Sequence, residues 1–152
     1  MLLAEALAER AAAQQRLQTL RERLLNTLRI QEGDTPEEDP EAMLREVENI
    51  GKRLDYLVQA INRTNMATPF DEGTLSDALA LRDGYKRNRR LWAEFAEKAS
   101  ARQERWTRSE VKFISTYSVK KLRKHADDCA QQFRELDTRI QQANWSTELI
   151  EK

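Results

Sequence analysis

The sequence has few residues that interrupt helices and few that form cross-links. Among its 152 residues are three prolines, four glycines, one cysteine and one histidine. One cysteine cannot form a disulfide within the chain, and with one histidine it gives no zinc-binding pattern. No apolar run approaches the roughly 20 residues of a membrane-spanning helix. Charge appears at Glu5, too early for a signal peptide. We therefore expect a cytoplasmic protein with no cofactor and no membrane contact.

Charged residues and helix formers are abundant instead. Charged residues make up 34% of the sequence and hydrophobic residues 39%, with few helix breakers between them. This composition is typical of a single all-α domain, which we expect to span residues 1–152. Long, thin helices expose much surface per residue. A chain this polar is therefore expected to cover part of its apolar surface with a second copy.

Four segments repeat apolar residues at alternating steps of three and four, the period of an amphipathic helix. The clearest lies between Met43 and Asn65, and the others span about residues 2–31, 75–101 and 118–143. Side-chain caps are expected at Asp39, at Thr74 or Ser76, and at Ser118. Short connections predict long antiparallel helices in two hairpins, packed as a four-helix bundle or a coiled-coil-like array.

Two features depart from this regular pattern. Residues 104–117 lose the helical period and are rich in β-branched and aromatic side chains. They predict a short extended connector, in the form of a strand or hairpin, that lies on the helices or on a neighbouring copy. Gly51 lies inside the second helix, where glycine costs about 1 kcal/mol relative to alanine. A close helix crossing at Gly51 would offset this cost.

No motif in the sequence supports catalysis. His125 and Cys129 are four residues apart on the last helix, but Cys129 lies on the apolar stripe and is expected to be buried. The Glu-x-x-His pairs of helical metal enzymes, glycine-rich phosphate loops and the Gly-x-Ser-x-Gly elbow are all missing from the sequence. We therefore expect a protein without enzymatic activity.

Two polar clusters end apolar seams. One consists of Asn62, Arg63, Thr64 and Asn65, and the other begins with Asn144 and Trp145. Such side chains can cap helix carbonyls and fill a polar pocket between helix ends. The alternative interpretation is a ligand or partner site, which Arg82 and Arg108 would complete.

The charge is divided between two regions although the net charge is zero. Residues 32–48 contain eight acids and one base, whereas residues 82–123 contain thirteen bases and five acids. The basic region, extended to residue 124, could bind nucleic acid, because bases neutralise phosphates and aromatic rings stack on nucleobases. The candidate contacts are Arg105, Trp106, Arg108 and Lys112. A solvated basic face, paired with the acidic region of another copy, is the alternative.

Six short segments, in order, resemble a family of small bacterial proteins described as septicolysin-like. They are Leu-Ala-Glu-Ala-Leu-Ala-Glu-Arg (3–10), Ile-Gln-Glu-Gly (30–33), Ile-Asn-Arg-Thr-Asn (61–65), Thr-Leu-Ser-Asp-Ala-Leu-Ala-Leu-Arg-Asp (74–83), Arg-Ser-Glu-Val-Lys (108–112) and Asn-Trp-Ser-Thr-Glu-Leu (144–149). The resemblance implies a helical fold and, through the name, a cytolysin-like activity on membranes. Its matching polar positions are candidate site residues: Asn62, Arg63, Thr64, Asn65, Arg82, Asp83, Arg108, Ser109, Glu110, Asn144 and Trp145.

The sequence thus favours a cytoplasmic structural or interaction protein that forms a homo-oligomer, a dimer or larger. Nucleic-acid binding through residues 82–124 is the first alternative. A membrane-active cytolysin is the second, although no apolar stretch suited to membrane insertion accompanies it.

Overall fold

The computed structural model describes residues 1–101 and 111–152. Its elements are α1 (Leu3–Thr27), α2 (Pro40–Ala67), β1 (Pro69–Phe70), β2 (Gly73–Thr74), α3 (Leu75–Ser100) and α4 (Val119–Ser146). The predicted all-α class is correct in outline, with one small antiparallel hairpin added. Contacts divide the chain into two compact units. Unit 1 comprises residues 1–69 and 142–152, and unit 2 comprises residues 70–141.

In unit 1, helices α1 and α2 form an antiparallel pair whose register is marked by three ion pairs. Arg53 contacts Glu9 at 2.6 Å, Arg16 contacts Glu46 at 2.7 Å, and Arg23 contacts Glu38. The partners of successive α1 residues fall at successively lower positions, from Arg53 through Glu46 to Glu38 just before α2, as an antiparallel arrangement requires. Between them, Leu20, Leu24 and Met43 form a buried cluster, against which Val47 and Ile50 pack.

In unit 2, helices α3 and α4 also run in opposite directions. The Trp92 ring stacks on the His125 ring with centroids 4.2 Å apart. Ten residues earlier on α3, the Arg82 guanidinium contacts Asp137 at 2.8 Å. Most of the apolar stripe that the sequence predicts on α4 is buried, whereas its member Phe133 is partly buried. The buried members are Leu122, Ala126, Cys129, Leu136 and Ile140.

The predicted helix caps are confirmed. The Asp39 carboxylate accepts a hydrogen bond from the Glu41 amide at 3.0 Å at the start of α2. Thr74 caps α3 in a reciprocal arrangement, because its own amide donates to Asp77 at 2.8 Å. The Ser118 hydroxyl accepts a hydrogen bond from the Lys121 amide at 3.3 Å before α4.

Two helix ends differ from the sequence prediction. Helix α1 ends at Thr27 and not near residue 31, and the side chains of Leu28 and Ile30 beyond it are exposed. Helix α4 continues to Ser146, although the polar residues from Asn144 onward were predicted to break it. The hydroxyls of Ser146 and Thr147 donate to the Ala143 carbonyl, at 3.2 and 2.7 Å, and so close the helix end.

The predictions for extended structure were also wrong in part. The sequence predicts extended structure only at residues 104–117, yet β1 and β2 pair around a turn in which Asp71 adopts a left-handed backbone conformation with φ 49°. In the predicted 104–117 connector, residues 111–117 lie outside any helix and contain no strand. Residues 104–110 lie outside the described part of the chain. The four-helix bundle and the coiled coil stay predictions, as does the single domain.

Candidate interaction surfaces

Thr64, one of the predicted site residues, connects the C-terminal segment to α2 through hydrogen bonds. Its side chain is completely buried. The hydroxyl donates to the Ala60 carbonyl at 2.7 Å and accepts from the Ile150 amide at 2.8 Å. Both hydrogen-bonding functions of the hydroxyl are therefore used inside unit 1.

Neighbouring side chains of α2 hold the same segment. The Arg63 guanidinium donates to the Ile150 carbonyl at 3.0 Å. The Tyr56 hydroxyl donates to the Glu151 carboxylate at 2.8 Å, and this hydrogen bond raises the pKa of Tyr56 above its ordinary value. Glu151 is a partner that nothing in its sequence context singled out.

The N-terminal residues hold the other side of this segment. The Leu3 amide donates to the Thr147 carbonyl at 2.8 Å, and the Leu149 amide donates to the Met1 carbonyl at 2.9 Å. The amine of Met1 lies 3.5 Å from the Glu148 carboxylate. We call residues 147–151 the C-terminal clasp. Its residues form no helical turn, because their backbone pairs with the N-terminal residues.

The remaining predicted site residues of unit 1 differ in exposure. Asn144 is buried, Asn65 is partly buried and Asn62 is exposed. The Trp145 side chain is 63% exposed. The polar clusters thus combine buried packing positions with an exposed aromatic ring. A ligand or partner site at these residues stays a prediction.

Arg82 and Asp83 belong to unit 2. The Arg82 guanidinium is partly buried and forms the ion pair with Asp137, so its charge already has a partner on α4. Asp83 is exposed. Five predicted site residues, Arg105, Trp106, Arg108, Ser109 and Glu110, lie outside the described residues, and Lys112 is exposed.

Helix α3 presents a basic face in unit 2. It consists of Lys86, Arg87, Arg89 and Arg90, all exposed. Within the described residues these four side chains form no ion pair, whereas Arg16, Arg23 and Arg53 of unit 1 each have a carboxylate partner. Lys86, Arg89 and Arg90 line an open groove of about 420 Å³. Nucleic-acid binding stays a prediction.

Four exposed apolar side chains form a second surface of unit 2. The exposed fractions are 47% for Phe95, 78% for Phe113, 85% for Ile114 and 58% for Tyr117. These four residues line a cavity of about 470 Å³ together with Ala99. We call these five residues the apolar patch. Phe95 belongs to the predicted third helix and Phe113 to the predicted extended connector, so no single sequence pattern reveals the surface they share.

The end of α1 and its connection to α2 are acidic, in contrast to the basic face of α3. Leu25, Leu28 and Ile30 are exposed by 60%, 55% and 47%. The acids that follow them, Glu32, Asp34 and Glu37, are exposed and form no ion pair within the described residues, in contrast to Glu38, which pairs with Arg23. We call residues 25–37 the acidic tip.

The described residues offer little support for metal or nucleophilic chemistry. Cys129 is buried, as the sequence predicted. The His125 ring lies nearly parallel to the Trp92 ring, which occupies one of its faces. No group of three histidine, cysteine or acidic side chains suited to a metal ion occurs within residues 1–101 and 111–152. Over the same residues, no helix has the length and hydropathy needed to cross a membrane.

The comparisons with known proteins identify a family but no activity. The model of a family of unknown function, DUF6847, matches residues 10–149. The chain is also similar to a functionally unknown conserved protein from Corynebacterium diphtheriae, whose crystal structure has 44% sequence identity, a TM-score of 0.92 and 99% coverage of both chains. No curated protein matches the chain significantly. The septicolysin-like resemblance was therefore wrong, and the cytolysin activity that it implied has no support. The chain belongs to the DUF6847 family, whose function is unknown.

Proposed function

We propose that this protein is a self-associating interaction module without catalytic activity, and that the apolar patch is its contact surface. The observation that carries this proposal is the exposure of Phe113 and Ile114, at 78% and 85%. Exposed apolar side chains are common singly, but a contiguous group around a concavity is typical of a protein–protein contact.

The hydrophobic effect supplies the driving force for association. Burial stabilises by roughly 25 cal/mol per Å² of apolar surface, and aromatic side chains such as Phe95 and Phe113 are the kind that dominate interface energies. Lys98 also lines the cavity, and Lys112 adjoins Phe113 in the sequence. This arrangement of an apolar centre with a polar rim is the usual anatomy of an interface.

A second copy of this chain is the occupant that the charges favour. The net charge is zero, so whole molecules do not repel each other. Lys98 and Lys112 form no ion pair within the part of the chain that the structure describes, and every copy carries acids in its acidic tip. Complementary potentials of this kind steer association and set its specificity.

The absence of catalysis is the second part of the proposal. The features that support it are the burial of Cys129 and the stacking of His125 on Trp92. A cysteine nucleophile needs an accessible thiolate and a base oriented toward it. Burial of the thiol and packing of the imidazole face against indole favour structural roles for both side chains.

The test is the mass of the protein in solution, measured by sedimentation over a range of concentrations. We expect the wild type to be larger than one chain. The double variant Phe113→Ser/Ile114→Ser should shift strongly toward a single chain. The matched control is Leu44→Ser/Met66→Ser, which changes two apolar side chains of unit 1 that are exposed by 48% and 70%.

The control variant should retain the wild-type mass. A wild type that sediments as a single chain at all concentrations would overturn the proposal of self-association. An oligomer that persists unchanged in the Phe113→Ser/Ile114→Ser variant would show that association uses another surface.

A further inference from the structure

We infer that the partner of the apolar patch is the acidic tip of another copy, so that copies associate through two different surfaces. The inference rests on the proposed self-association and adds to it the identity of the docking segment. It follows from three properties of these surfaces: each exposes large apolar side chains, each has charges that form no ion pair within residues 1–101 and 111–152, and the charges are opposite in sign.

The acidic tip combines apolar and acidic side chains in a short stretch. Helix α1 ends at Thr27, so Leu28 and Ile30 lie beyond its last turn and expose 55% and 47% of their surface. Residues 25–37 contain three acids and one base, Arg29. The three acids have no ion pair within the described residues, whereas Glu38, just before α2, and Glu46, within α2, are paired with arginines.

The residues around the apolar patch carry the complementary, positive charge. Residues 111–121 contain three bases, Lys112, Lys120 and Lys121, and no acid. All three are exposed, and none forms an ion pair within the described residues. Lys98 at the end of α3 also faces the cavity. The patch thus offers an apolar concavity with lysines around it.

The charges decide which surfaces can meet. Two acidic tips would bring like charges together, and so would two apolar patches with their lysines, which is unfavourable in an interface. A tip on a patch brings opposite charges together and joins Leu28 and Ile30 to Phe113 and Ile114. A phosphate backbone would satisfy the lysines but would leave these apolar side chains without a partner.

A contact between unlike surfaces has a geometric consequence. Two copies form a closed dimer when each tip contacts the patch of the other copy at the same time. Otherwise each copy in a pair keeps one surface free, and association continues until a ring closes or a filament forms.

The experiment reverses the charge of each surface separately. In the tip variant, Glu32, Asp34 and Glu37 are changed to lysine. In the patch variant, Lys112, Lys120 and Lys121 are changed to glutamate. Each variant alone presents like charges at the contact, and we expect each to sediment as a single chain at concentrations where the wild type associates.

Mixing the two variants restores opposite charges at every contact. The lysine-rich tip of the first variant then meets the glutamate-rich patch of the second, and the unchanged surfaces of the two variants match as before. An equimolar mixture should therefore regain the wild-type mass. The triple variant Lys86→Glu/Arg89→Glu/Arg90→Glu is the matched control on the basic face of α3, and it should associate as the wild type does.

The outcomes separate the inference from the proposed function. If the wild type associates but either variant still associates alone, or the mixture stays at the single-chain mass, the inference is overturned and self-association stands. If the wild type is a single chain, both fail. Labelled duplex DNA that binds the wild type and not the patch variant, without recovery of mass in the mixture, would assign the patch to nucleic acid and overturn the inference.

Discussion

The Thr64 hydroxyl joins two segments that are far apart in the sequence. It donates to the Ala60 carbonyl within α2 and accepts from the Ile150 amide, 86 residues away. A buried hydrogen bond contributes modestly when it is formed, but an unsatisfied partner costs more when one side of it is removed. At the scale of single residues, Thr64 is therefore the critical contact of the C-terminal clasp.

Thr64→Val tests this role, because valine keeps the branched shape and removes the hydroxyl. We expect the free energy of unfolding to fall by about 1–3 kcal/mol, the usual cost of an orphaned buried donor. Hydrogen exchange at the Ile150 amide should become faster. Thr64→Ser, which keeps the hydroxyl, should leave this exchange slow, and unchanged Ile150 protection in Thr64→Val would contradict the assignment.

Gly51 provides a second test at a single residue, and its surroundings differ from those that the sequence predicts. The sequence predicted a close helix crossing there, but a Cβ atom built at Gly51 meets nothing within 4 Å. Gly51→Ala should therefore raise the free energy of unfolding by about 1 kcal/mol through helix propensity. The comparison is Gly33→Ala, which should destabilise because Gly33 has φ +93°. If urea titration showed that Gly51→Ala is less stable than the wild type, the open environment assigned to Gly51 would be contradicted.

The roles of individual residues were predictable where they depend only on neighbours in the sequence. Asp39 and Thr74 were identified as caps because capping involves neighbours within three residues. The abrupt change from aliphatic to polar side chains marked Thr64 as unusual. Its partner Ile150 could not be predicted, since no local pattern relates residues that meet only in the folded chain.

Three arginine–glutamate pairs connect α1 with α2 and with Glu38, just before α2. Hydrogen bonds from Arg53, Arg23 and Arg16 lower the pKa values of Glu9, Glu38 and Glu46 below their ordinary value of 4.5. A carboxylate whose pKa is lower in the folded than in the unfolded state stabilises the fold above its unfolded pKa. This stabilisation is lost as the pH falls below about 4.5 and through the lower folded values.

The triple variant Glu9→Gln/Glu38→Gln/Glu46→Gln should therefore differ from the wild type in a pH-dependent way. We expect it to be less stable than the wild type at neutral pH, and we expect the difference to shrink as the pH falls below about 4.5. The measurement is the urea midpoint as a function of pH. Exposed ion pairs contribute little each, so all three are changed together. A difference that stays constant from neutral to acidic pH would contradict the assigned pairs.

The long helices were predictable from the sequence, whereas the short strands were not. Four long helices have enough repeats for the apolar period to identify them. The hairpin of β1 and β2 was missed because each strand has only two residues, too few for an alternating pattern. The end of α4 was missed because Asn144 and Thr147 are residues that usually interrupt helices, and here they lie in its last turn and just beyond it.

At the scale of the whole molecule, surfaces were harder to predict than helices. The division of charge into acidic and basic regions is visible in the sequence, and it led to the prediction of self-association. The apolar patch is not visible there, because Phe95 and Phe113 belong to segments with different local patterns and meet only through the fold. Family membership was also misread from short segments, whereas the family match extends over residues 10–149.

The two units differ in how the chain is divided between them. Unit 2 is one continuous stretch, residues 70–141, whereas unit 1 is built from residues 1–69 and 142–152. During synthesis, the first part of unit 1 leaves the ribosome long before the second part exists. The hydrogen bonds of Met1, Leu3 and Thr64 with the C-terminal clasp can therefore form only after residues 1–69 and all of unit 2 have been synthesised.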